Sequence, residues 1–491
     1  MRKRLLGEVS VLLWIAFLFC LPHLQGVYAD NLTSVNPVYS PSVEWVSLSG
    51  YVNDTNMNPI DGATITVACG IDSYTNTSDT NGYYYVGPLP LVYCLWNISF
   101  SKQGYKTIYV EMPIGDNITY DVVLSSRAMI FVDDIPGEGP DNPPEDFTLI
   151  QDAIDAASEG DMVFVYNGTY YENIIVDKSI SIEGENKEET FIINNNVNEV
   201  ENIAVIHADN VCLSHFTITD REGSRIEDGI FISESTGTTI SNTIFNSTTF
   251  WWTSITLNSS KNCFILDNII EGKYGLHEHD FDYNEFGIAC IDSANVTIKN
   301  NVVSYHYSNG IDVCHSINVN VSHNKVFLNG YGIVLSESSH SVLYKNNVHD
   351  GYMSSFIEAS QDILLFKNNF SFNQACGLFI SDSHTIVVRK NNIFSNDDGI
   401  HLTGYMFPID AEYCYGNTIS KNNFFNNGKN AYFHSSYLNR WDANFWDDLK
   451  IMPYIIVGTI GPFSELSPFN IPWVNVDWHP AMKPYDIGGD I

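Results

Sequence analysis

Three clusters of ionisable side chains carry the chemistry this sequence can offer. The first is Tyr274-Gly-Leu-His-Glu-His-Asp-Phe-Asp282, where His277, His279, Asp280 and Asp282 supply imidazole and carboxylate donors for a divalent cation such as calcium. The second is Asn396-Asp-Asp-Gly-Ile-His401, with Asp397, Asp398 and His401 as weak catalytic candidates. Glycoside hydrolysis uses one carboxylic acid to protonate the leaving oxygen and another to activate water, ~5–9.5 Å apart. Asp397 and Asp398 are neighbours and alternate faces on an extended strand. Asp312 lies four repeats upstream, about 19 Å away at the ~4.8 Å spacing of stacked strands. The third cluster is Asp292, His315 and Glu337, each five residues beyond a glycine that opens a repeat. If the repeats stack in register, an imidazole lies between two carboxylates, an arrangement that binds a metal or favours the charged imidazole. Each cluster also has a plain reading: a solvated loop, a repeat opening like Asp228-Gly229-Ile230, and a polar turn like Glu234, Ser259 or Asp382.

What must position these groups is a repeat. Opening glycines fall at Gly287, Gly310, Gly332, Gly377 and Gly399, in steps of 23, 22, 45 and 22, with Ser354 or Ser355 standing in the double step. A period of this length marks a solenoid whose units bury their apolar faces only against each other. Each unit is strand-like. Ile230, Ile255, Ile288, Ile311, Ile333, Leu378 and Ile400 form one column. Ile232, Leu257, Cys290, Val313, Leu335, Ile380 and Leu402, two residues on, form a second, so both face inward. Asn242, Asn268, Asn300, Asn324, Asn346, Asn368, Asn391 and Asn422 make a third column, expected to bond the backbone and each other at a bend. That role is structural.

The 491 residues carry 23 Lys plus Arg against 58 Asp plus Glu, a net charge of -35, which argues against a nucleic-acid partner. Residues 1–29 read as a signal peptide: Arg2, Lys3 and Arg4, an apolar stretch from Val9 to Leu21, and small residues before Asp30. No later stretch approaches ~20 apolar residues, so no transmembrane span is expected once the signal is removed. Asn-x-Ser/Thr occurs eleven times, including Asn76, Asn246 and Asn369, which fits a secreted or cell-surface glycoprotein. Residues 30–43 read as a linker. Short alternating strands split by turns over 44–125 predict a β-sandwich, and the Pro-, Gly- and acid-rich stretch within 126–146 a second linker. Thr148-Leu-Ile-Gln151 has capping-box spacing before a helix with Ile150, Ala153, Ile154 and Ala157 on one face. Such a helix would close the open end of the solenoid over 147–448. The aromatic, Pro-rich 449–491 would close the other.

Two resemblances sharpen this all-β reading. Gly50-Tyr-Val52, Pro59-Ile-Asp-Gly-Ala63, Asp79-Thr-Asn-Gly-Tyr83, Leu89-Pro90 and Gly104-Tyr105 resemble the carboxypeptidase regulatory-like domain, which implies a transthyretin-like sandwich serving as spacer or adhesive module. Cys69 ends one predicted strand there and Cys94 begins another, so a disulfide is expected between them. Phe147-Thr-Leu-Ile-Gln-Asp-Ala-Ile-Asp-Ala-Ala157, Tyr166-Asn-Gly-Thr-Tyr170, the Gly-Ile and Asn repeats and Asn444-Phe-Trp-Asp-Asp448 resemble the right-handed parallel β-helix proteins of the NosD-like, pectin-lyase-like class. That resemblance implies the fold, and it implies copper binding, for which His, Met or Cys clusters are wanted; Cys290 and Cys376 read instead as small core residues. The Tyr274-Gly275 segment also resembles alginate-type epimerases of this fold, whose Asp-Pro-His core it lacks. Aromatics at Phe250-Trp251-Trp252 and at Tyr305, His306 and Tyr307 suit stacking against sugars. The expected protein is therefore a secreted or surface β-helix that binds a polysaccharide or surface glycan or contributes to an envelope. The alternative is a polysaccharide-active lyase, hydrolase or epimerase.

Overall fold

The computed structural model describes residues 45–69, 72–90, 95–102, 104–135, 146–195, 200–221, 225–246, 251–272, 286–404, 414–450, 452–461 and 470–488. The expected signal peptide and first linker, Phe250, Cys94 and the donor set His277, His279, Asp280 and Asp282 lie outside the described residues.

The first eight strands build two four-stranded sheets. In one, Trp45–Asp54 runs antiparallel to Tyr83–Pro90 and parallel to Ile118–Thr119 and Val122–Leu124. In the other, Thr64–Cys69 lies between Asp72–Thr77 and Leu95–Ser101, which pairs with Ile108–Pro113. Alternation sends Ile65, Val67, Trp96, Ile98 and Phe100 to a core shared with Leu48, Val52 and Tyr84. Cys69 is disulfide-bonded.

The solenoid begins earlier than the composition suggests. Within the expected linker 126–146, Met129–Val132 is a strand pairing in parallel with Met162–Val165, and Val132 is fully buried. Four residues suffice to make a rung once a neighbouring strand supplies the partners. The helix Ile150–Ala156 follows, with Ile150, Ala153 and Ile154 buried against the first rungs. Its cap differs from the expected Thr148/Gln151 box: the N-cap is Leu149, with no side-chain bond. The Glu172 carboxylate accepts instead from Ile150 N at 2.8 Å and Gln151 N at 2.9 Å, supplying from the next rungs the negative charge that a helix start favours. Gln151 is drawn away to accept from Ile175 N.

Each coil then contributes one long and two short strands. Tyr331–Ser336, Val342–Tyr344 and Asn347–His349 form one coil, and Met353–Glu358, Leu364–Phe366 and Asn369–Ser371 stack on it in parallel register. The three resulting faces surround one core, and both expected inner columns are fully buried. Ser354 takes the glycine slot; Ser355 takes the inner column opposite Ile333 and Leu378. The glycines are required by close approach. A Cβ on Gly332 would lie 2.4 Å from the Ser354 carbonyl oxygen, and one on Gly399 2.5 Å from that of Asn430.

Corners turn through left-handed residues, and side-chain ladders bond what the corners leave open. Asn324 N and Nδ2 donate to Asn346 Oδ1 at 3.0 and 3.1 Å, and Nδ2 also donates to the Ile298 carbonyl. The same pattern joins Asn268, Asn301, Asn324, Asn346, Asn368, Asn391, Asn422 and Asn444. Two expected members are displaced by one residue. Asn242 and Asn300 are the left-handed corner residues, with φ of 49° and 58°, and the ladder position after each belongs to Thr243 and Asn301. A serine ladder at another corner runs Ser235, Ser260, Ser293, Ser316, Ser338, Ser360, Ser383, each backbone N–H donating to the next hydroxyl.

The last coil is closed by the tail. Tyr454–Ile460 adds in parallel to Lys429–His434 and folds back as a hairpin with Ile471–Asp477. Asp477, fully buried, accepts from Asn444 N and Nδ2 and from Trp446 Nε1, so a carboxylate ends the amide ladder where no further asparagine can. Among the described residues no helix is long and apolar enough to cross a membrane.

Candidate functional site

The outer face of the long strands is where the repeat stops being uniform. In Asp398–Thr403, Ile400 and Leu402 are buried inward, so His401 between them faces out. The same logic turns out Phe356, Phe379 and Tyr432, which pair in register with one another or with His401. Their rings form a continuous column. Centroids lie 5.3 Å apart for Phe356–Phe379, 4.9 Å for Phe379–His401 and 5.0 Å for His401–Tyr432, and Tyr331, out of that register on the rung before, reaches Phe356 at 6.1 Å. Lys429 Nζ sits 4.3 Å from the Tyr432 centroid, a cation over a ring face. Upstream the same outer column reads Phe231, Thr256, Ala289, Asp312 and Val334, so four rungs without a ring precede Phe356.

Beside the aromatic column, Cys376, Asp398 and His401 bring a thiol, a carboxylate and an imidazole within 4.8 Å of one another. Cys376 is buried, as expected of a small core residue, but lies outside the continuous cluster that fills the coil, in register with Asp398 on the next rung. Asp398 and His401 are three residues apart, a spacing that regular alternation sends to opposite faces. Their approach means the strand departs from that alternation, and Gly399 lies between them. Lys429 Nζ is 3.8 Å from Asp398 Oδ1. Asp397 takes no part: it is exposed, and its carbonyl accepts from Lys429 N. As the alternation of faces implies, Asp397 and Asp398 offer no carboxylate pair of the kind glycoside hydrolysis uses.

The column Asp292, His315, Glu337 is a corner, each residue left-handed at φ 49°. His315 Nε2 is 2.9 Å from Glu337 Oε2, while its Nδ1 is 3.0 Å from Cys314 Sγ. Opposite edges of one ring face different partners, so these groups bridge rungs and do not converge on one point. His306, expected as an exposed stacking residue, is almost wholly buried, and burial lowers its pKa to about 4.

Two acids on the outer face were not singled out as site residues. Asp228 accepts from Thr256 Oγ1 at 2.7 Å, and burial raises its pKa from 3.8 to about 7. Asp312 accepts from Asn309 Nδ2 at 2.7 Å, and burial raises it too. The two stand three rungs apart, at least ~14 Å at the strand spacing, which is outside the ~5–9.5 Å of a glycosidase pair. The aromatic column itself is legible at the repeat period, one residue beyond each first-column position: Ser355, Leu378, Ile400 and Ala431.

The model for "Periplasmic copper-binding protein (NosD)" matches residues 273–459, and that for "Right handed beta helix region" matches residues 178–348. A cell surface glycoprotein of Methanothermus fervidus is 27% identical over 299 residues, 60% of this chain and 44% of that protein, so the chain spans less than half of that relative's length. The A-module of a mannuronan C-5 epimerase of Azotobacter vinelandii is similar with a TM-score of 0.46 and 13% identity, over 60% of this chain and 88% of that one. The surface adhesin PfbA of Streptococcus pneumoniae is similar with a TM-score of 0.45 and 14% identity, over 68% and 95%. With its stacked parallel coils and these two partial family matches, this chain folds as a right-handed parallel β-helix protein that is similar to the NosD family over residues 273–459.

Proposed function

We propose that this is a secreted or cell-surface β-helix protein that holds a glycan along the outer face of its long strands. The observation that carries the reading is the unbroken ring column Phe356, Phe379, His401, Tyr432 on that face. Sugar rings present apolar C–H faces that stack on aromatic rings, while flanking polar groups such as Lys429 and Asp398 bond hydroxyls. A rigid column spaced by strand pairing offers successive platforms without ordering a loop first. The net charge of -35 opposes an acidic polysaccharide and favours a neutral glycan. The cell-surface relative and the Asn-x-Ser/Thr sites support the location. The N-terminal module, carboxypeptidase regulatory-like, serves as a spacer that the disulfide at Cys69 braces.

The test is a glycan array followed by titration calorimetry on the full chain, with and without Ca²⁺. Wild-type protein binds a neutral glycan, and Phe379→Ala and Tyr432→Ala each weaken binding about tenfold, as the loss of ~1–2 kcal/mol of stacking implies. Absence of any glycan ligand, or binding indifferent to both substitutions, overturns the reading. New reducing ends or unsaturated products would instead make the protein a polysaccharide-active enzyme.

A further inference from the structure

We propose that Cys376, Asp398 and His401 form a site for one borderline divalent transition-metal ion, of which Zn²⁺ is the representative. The site goes beyond glycan binding and does not depend on it. Its warrant is the donor set and where the fold holds it. A thiolate, an imidazole and a carboxylate together select zinc-like ions over calcium, which wants six or more oxygen donors. All three donor atoms already lie within 4.8 Å of each other. A tetrahedral ion at ~2.0–2.3 Å from each donor sets the donors about 3.3–3.8 Å apart, so the side chains rotate inward by about an ångström to close the site.

Each donor lies on a strand: Cys376 and Asp398 are the first residues of theirs, and His401 is interior to the second. Cys376 and Asp398 are register partners on adjacent rungs, so backbone pairing sets their spacing. His401 stands between the Phe379 and Tyr432 rings, which restrict its orientation. Three protein donors leave a fourth position open to water or a ligand. Lys429 is the competitor: its ammonium, 3.8 Å from Asp398, balances the carboxylate in the metal-free protein and must yield it to the ion. Cys314, His315 and Glu337 contain similar donors but direct them to two edges of one ring. Among the described residues, Cys376, Asp398 and His401 are the one group of this kind whose donor atoms converge.

The test uses reduced, chelator-treated full-length protein titrated with Co²⁺ and then Zn²⁺. One Co²⁺ binds per chain with a thiolate-to-metal charge-transfer band, and Zn²⁺ displaces it. Cys376→Ser removes the band and Cys314→Ser keeps it. Lys429→Met tightens binding several-fold, a gain that a purely structural role for the cluster would not produce. Independently of any variant, Zn²⁺ slows alkylation of Cys376 in the wild-type protein, read by peptide mapping, and Ca²⁺ does not. A wild-type protein with no charge-transfer band, a band that survives Cys376→Ser, or alkylation of Cys376 indifferent to Zn²⁺ overturns the proposal. Glycan binding is read on separate arrays, so either reading can fail alone.

Discussion

The inner and outer faces of the long strands share one backbone and follow opposite rules. Inside, each rung meets a similar rung above and below, so Ile311, Ile333, Leu378 and Ile400 repeat one solution to one packing problem, with Ser355 as the exception. Outside, nothing in the coil constrains the column between them. There it passes from Thr256, Ala289 and Asp312 to Phe356, Phe379 and His401. Stacking alone gives no reason for that change, which is why the aromatic half holds the candidate site. In a solenoid, regularity reports stability and departure from it reports function.

That contrast can be broken most severely from within. Asn368→Ala removes the acceptor that serves both Asn346 N and Asn346 Nδ2. It also removes the donor to the Leu343 carbonyl and to Asn391. Several buried polar groups lose partners at once, so denaturant unfolding should show a loss of about 3 kcal/mol or more, with glycan affinity unchanged wherever the coil stays folded. A loss below ~1 kcal/mol would mean that the ladder is ornamental.

The outer acids give a pH signature of similar order. Asp228 holds its proton to about 7 in the native chain but releases it near 3.8 when unfolded. Between those values the native state binds more protons, so stability falls as pH rises from 4 to 7, by roughly 4 kcal/mol at most. Asp228→Asn should flatten that slope and leave the protein more stable than wild type at pH 8. His306 works in the reverse sense. Its native pKa of about 4 lies below the ordinary 6.5, so its contribution is whole above 6.5 and is lost as pH falls toward 4. Unfolding free energies of the wild type and Asp228→Asn across pH 4–8 separate the two.

The smallest effect is expected at a blemish on the inside. Ser355 buries a hydroxyl with no hydrogen-bond partner in a column of aliphatics. Ser355→Ala deletes that group without adding bulk, so the melting temperature should hold or rise by about a degree or two. A clear drop would show that the hydroxyl is bonded by water and belongs to the ladders.

Much of the fold was legible because stacking repeats its demands. The period placed both inner columns, and the short apolar face of Ile150 to Ala157 placed the end cap. What slipped was what depends on a partner distant in sequence. Asn300 and Asn301 are indistinguishable as letters; which one turns the corner and which enters the ladder depends on the neighbouring rungs. Thr148 has capping-box spacing, yet Glu172 reaches the helix first. Cys376 looks like a core residue until register sets it beside Asp398.

The site divides in the same way. His401, Asp398 and Asp397 could all be singled out as letters, and so could Asp292, His315 and Glu337. Only the folded coil shows that Asp397 stands apart, that His315 bridges two partners, and that Cys376 completes a converging trio. The sequence by itself determined a β-helix, because a 22–23-residue period of alternating aliphatics has one economical way to bury itself. Tertiary structure alone decided which outward side chains meet, because groups that touch across rungs are some twenty residues apart and their distance is set by register and corner geometry.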